Sequence, residues 1–107
     1  MPLLDPEYGH FALDGARHFA SLGVTMDRQM LLLASEFGEV IEEYEKYAGV
    51  NVRKPATGQA WRVVDELADL VMCSLVLIAG LGFDPEPVLQ KQADKVRSRF
   101  PELEVGK

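Results

Sequence analysis

The chain of 107 residues has little of several things, and each shortage excludes something. It carries 1 cysteine, Cys73, so it can build neither a disulfide framework nor a cysteine-based zinc site. Set in an apolar run, that thiol reads as a small buried hydrophobe. Positive charge is scarce too: 11 Lys and Arg face 17 Asp and Glu, for a net charge of −6. That balance argues against duplex nucleic acid or an anionic membrane as the main partner, since both require a basic face. It leaves room for a small polyanion carried on metal ions. His18 stands in no ExxH or HxxxH arrangement, and His10 forms a single ExxH with Glu7, where a di-iron site needs two Glu-x-x-His pairs, which argues against one. Both read as surface or structural groups. The opening "MPLLDPEYGH" lacks the basic segment and apolar stretch of a signal peptide. The longest apolar run, residues 70–83, is interrupted only by Ser74, is short for a membrane span and ends in glycines. The expectation is a soluble, cytoplasmic protein with no membrane partner.

What is present suits a folded domain. The hydrophobic fraction is 48%, enough for a core, and the length fits one domain over residues 1–107. Its core should run from about 6 to 100, with a frayed tail over 102–107. Turn signals cut the chain into four helical pieces. The first spans about residues 6–22, with Asp5 as N-cap and Pro6 in the first turn. Phe11, Ala12, Ala16, Phe19 and Ala20 give it an apolar face, and Gly23 ends it. The second spans about 25–47, capped by Thr25 and closed by Gly49. Its stripe is Met26, Met30, Leu33, Phe37, Val40, Ile41 and Tyr44, at three- and four-residue steps. A long loop, "GVNVRKPATGQA", follows. The third helix spans about 61–79 with a stripe of Val64, Leu67, Ala68, Val71, Met72, Leu75 and Val76. Beyond Asp69 it is apolar nearly all round, which makes it central or part of a subunit interface. "GFDPEP" then stops one helix and starts the next, through Gly82, Asp84 and Pro85. No stretch alternates like a strand. The fold class is all-α, a small bundle of four, or five, helices.

The second and third helices carry paired carboxylates among apolar residues. Glu36 and Glu39 are three residues apart in "SEFGE", and Glu66 and Asp69 repeat that spacing in "DELAD". Residues three apart share a helix face. One such pair would be an ordinary solvated surface. Two pairs on two apolar helices converge if the helices pack antiparallel, and converging carboxylates repel unless cations lie between them. Hard divalent ions with oxygen ligands do this, Mg²⁺ commonly, and Mg²⁺ also accepts substrate phosphates. The pattern therefore reads as a site for phosphate chemistry. Glu42, Glu43 and Glu45 read as solvent-facing, and Asp65 as an outer or exposed group.

"SEFGE" followed on the next helix by "ELAD" resembles the MazG-like all-α nucleoside triphosphate pyrophosphohydrolases, whose signature is ExxE followed by ExxD. The resemblance covers about residues 19–100. It implies that Glu36, Glu39, Glu66 and Asp69 hold Mg²⁺, with Mn²⁺ as a substitute. It also implies that a nucleoside triphosphate is cut between its α- and β-phosphates into a monophosphate and pyrophosphate. One carboxylate would position or deprotonate the attacking water, and Glu39 is the choice. Lys91, Lys95 and Arg99 form one stripe on the fourth helix. Lys95 and Arg99 resemble the Lys and Arg that relatives place on the polyphosphate; a basic last turn complementing the helix dipole is the alternative. Arg62, four residues before Glu66, either holds phosphate or pairs with Glu66. Arg97 reads as solvated. Arg53 and Lys54, in the long loop, are placed to close over a substrate. Trp61 is either a stacking platform for the base or a packing residue. The sequence departs from the family in two places. Relatives carry an Asn near the basic run, where this chain has Ala93, Asp94 and Val96. Ser35 stands where many have another Glu.

Four short helices cannot easily surround a helix as apolar as the third, so a homodimer or homotetramer is expected to complete the bundle. Relatives assemble in that way. Two other functions stay open: the same bond cleaved in a nucleotide conjugate such as phosphoribosyl-ATP, and a non-catalytic helical module that binds nucleotide.

Overall fold

The computed structural model describes residues 5–50, 56–100 and 102. Arg53, Lys54 and the expected frayed tail, apart from residue 102, lie outside the described residues. Among the described residues four helices are present: α1 (Pro6–Ser21), α2 (Met26–Ala48), α3 (Ala60–Gly80) and α4 (Pro85–Arg99). Among the described residues there is no strand. The fold is all-α.

The helices start and stop where local chemistry says they should. Asp5 accepts the Glu7 N–H at 2.9 Å, Thr25 Oγ1 that of Arg28 at 3.1 Å, and Asp84 that of Glu86 at 3.1 Å. Each cap satisfies a donor that the first turn leaves without a helical partner. α2 ends on Gly49, whose φ of 66° suits a residue without Cβ. α3 ends through Gly82 at φ 95°. There the Phe83 N–H donates to the Ile78 carbonyl at 3.2 Å and the Gly82 N–H to that of Ala79 at 3.0 Å, the pairing of a Schellman end.

The chain forms two compact units. The first comprises Met1–Gly23 and Leu75–Lys107. In it α1 packs on α4, and its buried side chains include Ala12, Leu75, Val76, Leu77 and Ala79. Gly15 permits a close approach: a Cβ there would lie 2.9 Å from Val76 Cγ2.

The second unit is Val24–Ser74. It holds α2 and the first part of α3, and their register is set by three contacts. Glu36 lies against Asp69 and Glu39 against Glu66, while the Gly58 N–H donates to the Lys46 carbonyl at 3.2 Å. Numbers rise on one strand of this pairing as they fall on the other, so the two helices run antiparallel. The inward positions on α2 are Met26, Gln29, Leu33, Glu36, Val40 and Glu43; on α3 they include Val63, Glu66, Leu70 and Cys73. Both series step by three and four, the spacing that keeps one seam facing a partner helix.

This seam differs from the apolar stripes read in the sequence. Val40 is buried and Met26 and Leu33 half-buried, but Met30, Phe37, Ile41 and Tyr44 are exposed. On α3, Leu75 and Val76 are buried, Met72 is half-buried, and Val64, Leu67, Ala68 and Val71 are exposed. The reason is geometric. The apolar arcs are wider than one neighbouring helix covers, and the rows that meet it carry the carboxylates.

Gly58 supplies a stability test. A Cβ on it would lie 2.7 Å from the Tyr47 backbone nitrogen and 3.0 Å from the Lys46 carbonyl carbon, neither of which can swing away. Gly58→Ala should therefore cost about 1–3 kcal/mol in urea unfolding. An unchanged midpoint would mean that the loop does not close on α2 in this way.

Candidate metal centre

The antiparallel pairing sets Glu36 and Glu39 on α2 opposite Glu66 and Asp69 on α3. Glu36, Glu39 and Glu66 each offer an oxygen, and these oxygens lie within 4.8 Å of one another. Asp69 lies beside Glu36. Glu36 and Glu66 are half-buried on the seam, whereas Glu39 and Asp69 are exposed beside it.

Such crowding has an electrostatic consequence. The hydrogen bond with Asp69, then desolvation, then the charges of Asp69, Glu39 and Glu66 raise the Glu36 carboxyl from 4.5 to about 7. Desolvation, the hydrogen bond with Glu39, and the charges of Glu39, Asp69 and Glu43 push Glu66 up as well. Without a cation, this crowding favours the protonated form of Glu36 and Glu66. One oxygen stays unsatisfied: Glu36 Oε2 is buried with no hydrogen-bond partner. An all-oxygen donor set with a spare buried oxygen suits a hard divalent ion.

Other side chains fall differently from expectation. Glu43, expected in solvent, lies on the seam: its side chain is only 19% exposed, Oε1 is 3.4 Å from Lys46 Nζ, and Oε2 is buried without a partner. Two turns separate it from Glu36, which puts it on the same face, and its charge reaches Glu66. Lys46 also pairs with Glu42 at 3.6 Å. Glu42 is exposed, as expected, and Glu45 is half-buried. Gln29, two turns before Glu36, is the only polar side chain buried among the described residues, and no sequence signal marked it. Cys73 is half-buried, and desolvation followed by the charges of Asp69 and Glu36 raises its pKa.

Arg62 does not pair with Glu66 within 4.0 Å among the described residues. Its guanidinium carbon stands 5.3 Å from the Trp61 ring centroid. Trp61 is exposed, and its indole N–H donates to Gln59 Oε1. Lys91, Lys95 and Arg99 are all exposed on α4, which belongs to the first unit. Arg97 pairs with Asp94 at 3.9 Å. His10, His18 and Asp65 are exposed.

A family model described as the MazG nucleotide pyrophosphohydrolase domain matches residues 24–104, most of the chain. The chain belongs to that family. The match includes α2, α3 and α4, and so both acidic pairs and the basic stripe. No curated protein and no solved structure gives a significant match. As a MazG domain the chain is of the nucleotide pyrophosphohydrolase type. Among the described residues no single helix is long and apolar enough to cross a membrane.

The raised carboxyls predict how stability follows pH without metal. Between pH 4.5 and about 7 the native state holds more protons than the unfolded chain at Glu36, and Glu66 acts in the same direction. Stability therefore falls as pH rises through that window. In EDTA, Glu36→Gln should lose much of this dependence and exceed the wild type in Tm near pH 8. Parallel Tm–pH curves for the two proteins would refute the raised Glu36 carboxyl.

Proposed function

We propose that the chain is a Mg²⁺-dependent pyrophosphohydrolase of ribo- or deoxynucleoside triphosphates, serving nucleotide-pool housekeeping in the cytoplasm. The observation that carries this reading is the convergence of Glu36, Glu39 and Glu66 oxygens within 4.8 Å in a MazG-family chain. Glu36, Glu39, Glu66 and Asp69 would hold the ion, which supplies Lewis-acid polarisation of phosphoryl oxygens and acidifies water. Mn²⁺ offers similar chemistry.

Hydrolysis adds water across the P–O–P bridge between the α- and β-phosphates, leaving a monophosphate and pyrophosphate. The proton lost by that water goes to Glu39, the exposed glutamate of the cluster. Lys95 and Arg99, with Lys91 beyond them, are the cations proposed to take the polyphosphate. Arg62, four residues before Glu66, contributes a further positive charge. Trp61 keeps an exposed ring, with Arg62 already against it.

Oligomerisation belongs to the same proposal. On two antiparallel helices, positions one after the seam fall on one side of the layer, and positions three after it fall on the other. Phe37, Tyr44 and Leu67 are of the first kind; Glu39 and Asp69 are of the second. The apolar side is left open, with Met30 and Phe37 at 50% and 55% exposure. A second copy of the chain covers it, giving a dimer or tetramer.

Pyrophosphate release with Mg²⁺ across a panel of nucleoside triphosphates tests the chemistry. The expected result is release with at least one of them, abolished by EDTA, restored by Mn²⁺, and reduced by about 10²-fold or more in Glu39→Gln. Orthophosphate as the first product would mean that a different bond is cut. Sedimentation should give a dimer or larger, and Phe37→Asp should shift it toward monomer; a wild-type monomer would overturn the assembly.

A further inference from the structure

Gln29 is the anomaly of the second unit. It is 9% exposed, and a buried amide normally satisfies both ends. Here only one end is tied. Nε2 donates to the Val24 carbonyl at 3.4 Å, whereas Oε1 is buried with no partner. The carbonyl of Val24 can only accept, so the orientation of the amide is fixed and the free atom is the acceptor. An acceptor left buried and unpaired is unfavourable unless a ligand or water fills it.

Its position says which ligand. Gln29 precedes Glu36 by two turns and lies on the same seam, so the amide is about 10 Å along the helix from the first carboxylate of the cluster. A ribose and a base ring cover a comparable distance from the α-phosphate. The seam residue between them, Leu33, is apolar and half-buried, as a surface against a base plane should be. Neither Gln29 nor Leu33 has another task in the proposed chemistry.

We infer that Gln29 is a specificity residue of the nucleotide site, whose Oε1 accepts a hydrogen bond from an N–H on the substrate's base. The inference rests on the pyrophosphohydrolase reading above. With one acceptor and no free donor, the side chain selects for a base that presents an amino or imino hydrogen at that edge. It penalises an analogue that lacks one, because the amide is then buried unpaired.

The test compares the best substrate of the panel with its analogue lacking the base N–H, in the wild type and in Gln29→Met. Turnover is followed by pyrophosphate release. Binding of the corresponding α,β-methylene nucleotides with Mg²⁺ is followed by calorimetry, which needs no turnover. Wild type should prefer the N–H-bearing nucleotide by about tenfold or more, and Gln29→Met should remove most of that preference. The Tm of Gln29→Met should hold or rise, since an unpaired buried oxygen has gone. Gln29→Leu serves if the methionine variant does not fold. Turnover with the same preference in both proteins overturns the inference and leaves the function standing. Gln29-dependent preference in binding without pyrophosphate release overturns the function and leaves the inference standing. Neither release nor binding in the wild type overturns both. A lowered Tm with preference intact means that Gln29 only supports the fold through a buried water.

Discussion

Mutual repulsion among the carboxylates of α2 and α3 is the constraint on which the second unit depends. Two helices cannot bring Glu36, Glu39, Glu66 and Asp69 together with every group ionised. The protein meets this by raising the Glu36 and Glu66 carboxyls above the usual carboxylate range. The same convergence brings oxygens of Glu36, Glu39 and Glu66 within 4.8 Å of one another. A divalent cation would replace the protons held there, so ion uptake and proton release would be linked. The site is a folded-in electrostatic tension, which protons relieve at low pH and which a bound metal would relieve at high pH.

Much of this was legible in the residues. Asp5, Thr25 and Asp84 announced three helix starts, and Gly49 and Gly82 two stops, because caps depend on local chemistry alone. The two acidic pairs announced their own faces, since a three-residue step on a helix leaves little freedom. Sequence could not say which face of each helix meets the other. Phe37 and Tyr44 looked like core and are exposed, while Glu43 looked solvated and lies inward. An apolar arc that exceeds one helix contact has two candidate edges, and periodicity does not choose between them. Gln29 was silent for a different reason. A single polar residue in an amphipathic helix has no pattern, and only burial reveals that its carbonyl lacks a partner.

Charge and apolar area are placed apart across the α2–α3 layer. Glu39 and Asp69 point to one side, and Phe37 and Leu67 to the other, because the helices are antiparallel and their seams are in register. The proposed chemistry and the proposed association would then not compete for the same surface. Cys73, between Asp69 and the buried end of α3, holds its thiol protonated through burial and neighbouring negative charge. That makes it a poor nucleophile, in keeping with a packing role.

The return of Gly58 to the end of α2 has a consequence for how such a chain can vary. Its N–H meets the Lys46 carbonyl just before α3 begins, so the register of the two helices is already fixed on the near side of the connection. The number of residues between the two anchored points then matters little to the register, since closure entropy grows only with the logarithm of loop length. Insertions there leave the carboxylates opposite one another, whereas a single residue gained or lost within either helix rotates them out of line.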